Sequence, residues 1–375
     1  MSQARDFGPA WRVPLLMLGF ASLFAGIGAG LARLGWSLPG ASLAYVHGPL
    51  MASGFFGTVI SLERAVALRR RWAYAAPLLS GMATFASLLA APAVFAPVLA
   101  TLGSVVMVAA SASVYARQRE LFTLTLALGA IAWAVGNLMW VGAASVATAS
   151  PWWIGFLVLT IAGERLELSR FLPPSPAASR VFALLLAGLV GAATLSLFAW
   201  ASGTTLLGIV LVALAAWLMR QDIARRTIRA SGLTRYIAAC LLSGYVWLAV
   251  AGASIVATGG LHAGSAGYDA ALHSVMLGFV FSMVFGHAPI IVPSVIRVAV
   301  PYSPWFYAPL GLLHASLLLR VAGDWLADAP WRAWGGMLDA VALVAFVLGT
   351  LVAILRGARG RQASAMARPS PPKEG

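Results

Sequence analysis

The chain is 375 residues long, 61% hydrophobic and only 10% charged, with a formal net charge of +14. A soluble domain carries about 25% charged residues, so composition excludes a water-soluble body, and the links between apolar runs are too short to hold a second one. Most of the positive charge sits in those links, as at Arg69-Arg70-Arg71, Arg225-Arg226 and Arg356 to Arg368; basic links mark the cytoplasmic side of a membrane protein, which points to a lipid bilayer rather than nucleic acid as the partner.

A hydrocarbon core about 30 Å thick takes about 20 apolar residues per helical span. In chain order the apolar runs predict helices at 11–34, 41–68, 73–92, 95–116, 121–146, 151–171, 179–201, 204–220, 233–258, 268–295, 304–326 and 332–355. Helix is the expected form because lipid-exposed backbone must satisfy its own hydrogen bonds, and the alternation of a membrane β-barrel is absent. Arg5 and Arg12 precede an apolar stretch from Val13 to Leu31, longer than a secretory signal core, so it reads as the first membrane helix. The expected fold is therefore all-α and polytopic: one transmembrane domain over 1–356, about twelve helices, and a disordered, basic cytoplasmic tail over 357–375.

The links after helices 2, 4, 6, 8 and 10 carry Arg69 to Arg71, Arg117 and Arg119, Arg170 and Arg180, Arg220 to Arg235, and Arg297. The odd links carry almost no arginine. The even links and both termini are thus expected in the cytoplasm, with the chain in the cell inner membrane. The single cysteine, Cys240, lies in an apolar run and reads as a small core residue.

Three helices share polar residues at related depths. Helix 2 reads HGPLMASGFFGTVISLERAVALRR from His47, helix 6 ends in TIAGERLELSRF from Thr160, and helix 10 reads HSVMLGFVFSMVFGHAPIIVP from His273. The step is four helices each time, which suggests three four-helix arcs in one orientation. Glu63-Arg64 and Glu164-Arg165 fall near the inner ends of helices 2 and 6, with His287 at a comparable depth of helix 10.

Five histidines are present: His47, His262, His273, His287 and His314. An ionisable side chain inside a membrane is a functional hypothesis by default. His47 and His273 each lie near the outer end of their helix, and two imidazoles at one depth can clamp a haem iron from both faces. Ser53, Gly54 and Gly57 after His47, and Met276, Gly278 and Phe279 after His273, leave room for a flat macrocycle. The alternative is that each ring bonds across helices without iron. His287 lies 14 residues after His273, about 21 Å along the axis and close to four turns on, so on the same helix face. His314, at an expected depth like that of His287, could share a second metal with it, such as copper, with Glu63 or Glu164 nearby. His262 is expected in a solvated outer loop. Pro289 and Pro293 invite a kink below His287.

At these residues the chain resembles the NnrS family, polytopic bacterial membrane proteins that bind haem and copper and are associated with nitric oxide stress. The likeness runs best from Asp269 to Val321, including Arg297 and LLHASLLLRV from Leu312, with Gly163-Glu164-Arg165 and the region of His47, Met51 and Gly54 adding to it. The chain has a single histidine at His47 where that family has a pair, and Val300-Pro301-Tyr302 where it has a histidine-bearing loop. More distantly the chain is similar to subunit I of the haem–copper oxidases, whose low-spin haem is held from helices 2 and 10. No histidine lies between His47 and His262, so the copper-site histidines of that subunit are missing. The resemblance implies haem b held by His47 and His273, copper, and a redox partner or nitric oxide as the reacting species, in electron transfer or nitric oxide response. A bis-histidine iron has no open position, which favours electron transfer or sensing. The rivals are a proton-coupled transporter using His287 and the Glu-Arg pairs, and an assembly subunit without chemistry.

Overall fold

A computed structural model describes residues 6–37, 41–89, 91–142, 145–168 and 175–366. Among them there is no strand. Twelve principal helices follow one another: α1 (Pro9–Arg33), α2 (Ser42–Leu68), α3 (Ala75–Leu88), α4 (Phe95–Arg117), α5 (Leu121–Gly142), α6 (Val146–Leu168), α7 (Pro176–Leu195), α8 (Trp200–Gln221), α9 (Gly232–Ala257), α10 (Ala266–Ile296), α11 (Pro304–Trp325) and α12 (Ala329–Ala358). All but α3 are long and apolar enough to cross a membrane, so the chain is an all-α, multi-pass membrane protein. α3 is shorter than its apolar run: a 3₁₀ turn over Arg71–Tyr74 precedes its 14 residues, about 21 Å of helix. At the other end the helix that contains α12 continues to Met366, past the boundary that composition placed at 356. Arg170 and residues 367–375 of the basic tail lie outside the described residues.

Local chemistry sets the starts. Pro9 and Pro176 stand in the first turns of α1 and α7, where the missing N–H is not needed. The hydroxyls of Ser145, Ser175, Ser265 and Ser303 accept backbone N–H groups at the entries to α6, α7, α10 and α11, each satisfying an orphan donor.

Each helix packs against the next, and α12 returns to α1. Three helices lie inside this ring: α10 touches α1, α2 and α6 as well as its chain neighbours, and α6 also reaches α8. The share of residues buried within the protein reaches 83% in the span of α6 and 61% in α10. Two of the three helices that share polar motifs in the sequence, α6 and α10, are therefore the most buried, and α2 touches α4, α5 and α10 besides its chain neighbours.

α2 and α10 repeat each other in backbone form. In each, eight residues of π-helix begin within a turn of a histidine, Leu50–Gly57 three residues after His47 and Ser274–Phe281 directly after His273. Each then resumes as α-helix and ends on an arginine in the left-handed region, Arg69 at φ 53° and Arg297 at φ 59°. A left-handed non-glycine residue costs about 1–2 kcal/mol. Hydroxyls serve the loosened carbonyls of the first π stretch: Ser22 donates to Leu50 O at 2.7 Å and Ser80 donates to Ser53 O. Phe55 and Phe281, one from each stretch, stack with centroids 5.6 Å apart and planes 7° from parallel. α10 runs as helix through both Pro289 and Pro293.

Candidate cofactor site

His47 and His273 meet. Their ring centroids are 6.1 Å apart and their planes 17° from parallel. His47 Nδ1 lies 2.8 Å from the carbonyl of Gly26 on α1, and His273 Nδ1 lies 2.9 Å from the carbonyl of Asp269 one turn earlier. A carbonyl only accepts, so each Nδ1 carries a hydrogen, and in the neutral ring Nε2 then keeps its lone pair. That tautomer is the one a metal needs, and the back-bond that fixes it is the usual outer-shell support of a ligating histidine. The Asp269 carboxylate, 3.4 Å from His273 Nδ1, adds to that support.

The two rings line a partly open cavity of about 140 Å³. Its walls are mostly apolar, with Met51, Trp153, Met276 and Phe281 beside the histidines, and Tyr268, Arg320 and Asp339 supplying polar atoms. Gly30 of α1 makes room for His47: a Cβ there would stand 2.8 Å from the ring's Cε1. Two imidazole nitrogens about 2 Å from one metal put their ring centroids roughly 6 Å apart, a separation that the pair as found matches. The mostly apolar lining, into which Gly48 carries no side chain, also suits a planar macrocycle.

Beside the pair lies a charged cluster. Arg320 of α11 donates from Nε and Nη2 to the two Asp269 oxygens at 3.0 and 3.2 Å. Asp339 of α12 accepts from Ser316 at 2.6 Å. None of these residues stood out among the sequence candidates. The signals were Asp269 four residues before His273, and single charges inside otherwise apolar runs at Arg320 and Asp339.

The remaining candidates do not join this site. His314 accepts at Nδ1 from Trp247 Nε1 at 3.0 Å, and Trp247 packs on Gly278. His287 adjoins Gly286, which packs on Cys240. Eight residues separate those levels of α10, about 12 Å, so His287 and His314 are not brought together. The π stretch also breaks the 3.6-residue phase that would put His287 under His273. The charges that act on His287 come from Arg165 and Asp222. Among the described residues no three of His, Cys, Asp and Glu are grouped to hold a metal ion. His262 is exposed, as expected, and Cys240 is fully buried.

The Glu-Arg pairs divide. Glu63, Arg64 and Glu164 lie within electrostatic reach of one another, with Glu167 close by. Arg165 turns away from them: it makes a two-pronged contact with Asp222 at 2.8 and 2.9 Å, and Tyr245 also donates to that carboxylate. Asp222 lies in the link after α8. Burial alone would raise its carboxyl, but Arg165, Tyr245 and the Ala224 N–H hold it below the usual carboxylate range.

No curated protein matches the chain. Over residues 12–355, which include the histidine pair and nearly all of the helical body, the chain matches the family described as Domain of unknown function (DUF8744), and it belongs to that family.

Proposed function

We propose that this protein holds a b-type haem between His47 and His273 near the outer face of the membrane, and that it works in electron transfer or in the response to nitric oxide, as its resemblance to the NnrS family suggests. The observation that carries the reading is the pair itself: two imidazoles 6.1 Å apart, each fixed at Nδ1 by a carbonyl, each with Nε2 free beside a largely apolar cavity. A bound haem would supply a one-electron couple there. The protein's part is to fix both tautomers, hold the rings near parallel and exclude water with Met51, Trp153, Met276 and Phe281. Both imidazoles would be taken up in holding the haem, which favours electron transfer or sensing over chemistry on a small molecule. A shared copper at His287 and His314 is not carried into this reading, because those rings stand on different levels.

The test is a reduced-minus-oxidised visible spectrum of the purified protein with a haem extraction assay. Wild type is expected to give a low-spin b-type spectrum that is lost in His47→Ala and in His273→Ala, while both variants stay monodisperse. A wild type that stays colourless after reconstitution with haem would sink the reading.

A proton-coupled transporter is the second reading, and what favours it is the approach of Glu63 to Glu164 between α2 and α6. Proton uptake into vesicles that is lost in Glu164→Gln, from a protein free of haem, would put it first.

A further inference from the structure

The cavity wall contains one acid that the histidine pair does not use. Asp339 is 3% exposed and lines the cavity from α12. Its Oδ1 accepts from Ser316, but its Oδ2 is buried and has no hydrogen-bond partner among the described residues. The charged and titratable groups that act on it are Arg320 on α11 and Asp269 and His273 on α10. Arg320 spends Nε and Nη2 on Asp269, and its Nη1 lies beside Gly336, one turn before Asp339, so it acts on Asp339 through its charge and leaves Oδ2 without a hydrogen bond. An ionised carboxylate with an empty oxygen in such a place is costly, and a proton on that oxygen removes the cost. An added electron in the same low-dielectric space makes the acid hold that proton more tightly, since opposite charges attract most where water is excluded.

We propose that Asp339 is the proton-binding group of this cavity, taking up one proton at Oδ2 when the cavity iron takes up one electron. The inference rests on the haem reading. In the step, a one-electron donor reduces ferric iron to ferrous, a proton from solvent forms an O–H bond at Oδ2, no bond within the protein breaks, and the net charge of the cavity is unchanged. Asp324 is the competing acid: it is 3% exposed and neither of its oxygens has a hydrogen-bond partner among the described residues. It stands one turn beyond Arg320, 4.0 Å from Arg332, and does not line the cavity.

The experiment is a spectroelectrochemical titration of the haem-loaded, full-length protein at a series of pH values, for wild type, Asp339→Asn and Asp324→Asn. For a one-electron couple a tenfold change in the equilibrium is about 59 mV, so wild type is expected to fall by up to that amount for each tenfold drop in proton concentration. Asp339→Asn is expected to flatten the slope with the low-spin spectrum intact. A slope unchanged in Asp339→Asn, or flattened only in Asp324→Asn, overturns the proposal while leaving the haem reading standing. If wild type takes up no haem, the haem reading fails separately, and infrared spectra of the protein then decide proton binding. A protonated-carboxyl band that shifts in heavy water and is missing from Asp339→Asn supports Asp339 as the proton site, and a band unchanged in that variant removes it.

Discussion

At the scale of single residues, the site depends on small side chains that give way to large ones. Gly30 is the clearest case. A methyl group there would stand 2.8 and 2.9 Å from His47 Cε1 and Nδ1, so Gly30→Ala must push the ring and loosen its bond to Gly26. We expect that variant to bind haem at least tenfold more weakly than wild type, read by haem titration, because outer-shell partners of a metal-bound histidine are worth about 10–100-fold. Equal binding would mean that the ring has more freedom than its contacts imply. The two histidines themselves were legible from sequence, because their distance from the helix starts fixes their depth. That their rings meet was not, since depth says nothing about which way a helix is turned. His314 shows the same limit: its helix was placed well, but its level against α10 depends on how the two helices slide, and Trp247 sets that.

At the scale of elements, α2 and α10 were legible as related helices through their opening histidines, and the central place of α2, α6 and α10 was foreshadowed by their shared polar residues. Their π-helical stretches were not, because no residue type marks a π turn; it persists where neighbours such as Ser22 and Ser80 serve its carbonyls. Glu164 and Arg165, adjacent in sequence, make different contacts for a physical reason. Adjacent residues on a helix point about 100° apart, so Glu164 turns toward Glu63 while Arg165 turns to Asp222. That second contact joins α6 to the link after α8. Removing one partner of a buried, hydrogen-bonded pair costs about 3–5 kcal/mol, so Asp222→Ala should lower thermal stability in detergent markedly. The pH dependence follows from the lowered folded-state value of Asp222. Its contribution is fully present above the unfolded carboxylate value of about 3.9 and is lost as pH falls through the lower folded value. The melting temperature of wild type should therefore drop through acid pH more steeply than that of Asp222→Asn, and parallel curves would show that the ion pair does not carry the acid sensitivity.

At the scale of the whole molecule, the apolar runs located the twelve principal helices, because in lipid a helix must be both long and apolar, but not the short helix Ala224–Thr227 in the basic link after α8. What they could not show was the shortness of α3, where the first turn winds as 3₁₀, or the continuation of the last helix to Met366. The distribution of arginine predicts the sidedness. In a Cys240→Ser background, a cysteine placed at Ser231, in the link after α8, should react with an impermeant thiol reagent only from the inner side. One placed at Ser37, after α1, should react from the outer side, and the reverse pattern would invert the assignment. The paired π stretches have a consequence for the whole body. A π-helix winds more residues into each turn than an α-helix, so the chain climbs less for each residue it spends. α2 and α10 pack together toward their C-terminal ends, around Leu62, Ala65 and Val295, and each stops on a left-handed arginine. The π stretches thus act as matched spacers that set how high each histidine stands above its footing. One residue gained or lost in either spacer would lift or turn one imidazole against the other, and adding one to both would keep the rings level while carrying them together to a new height.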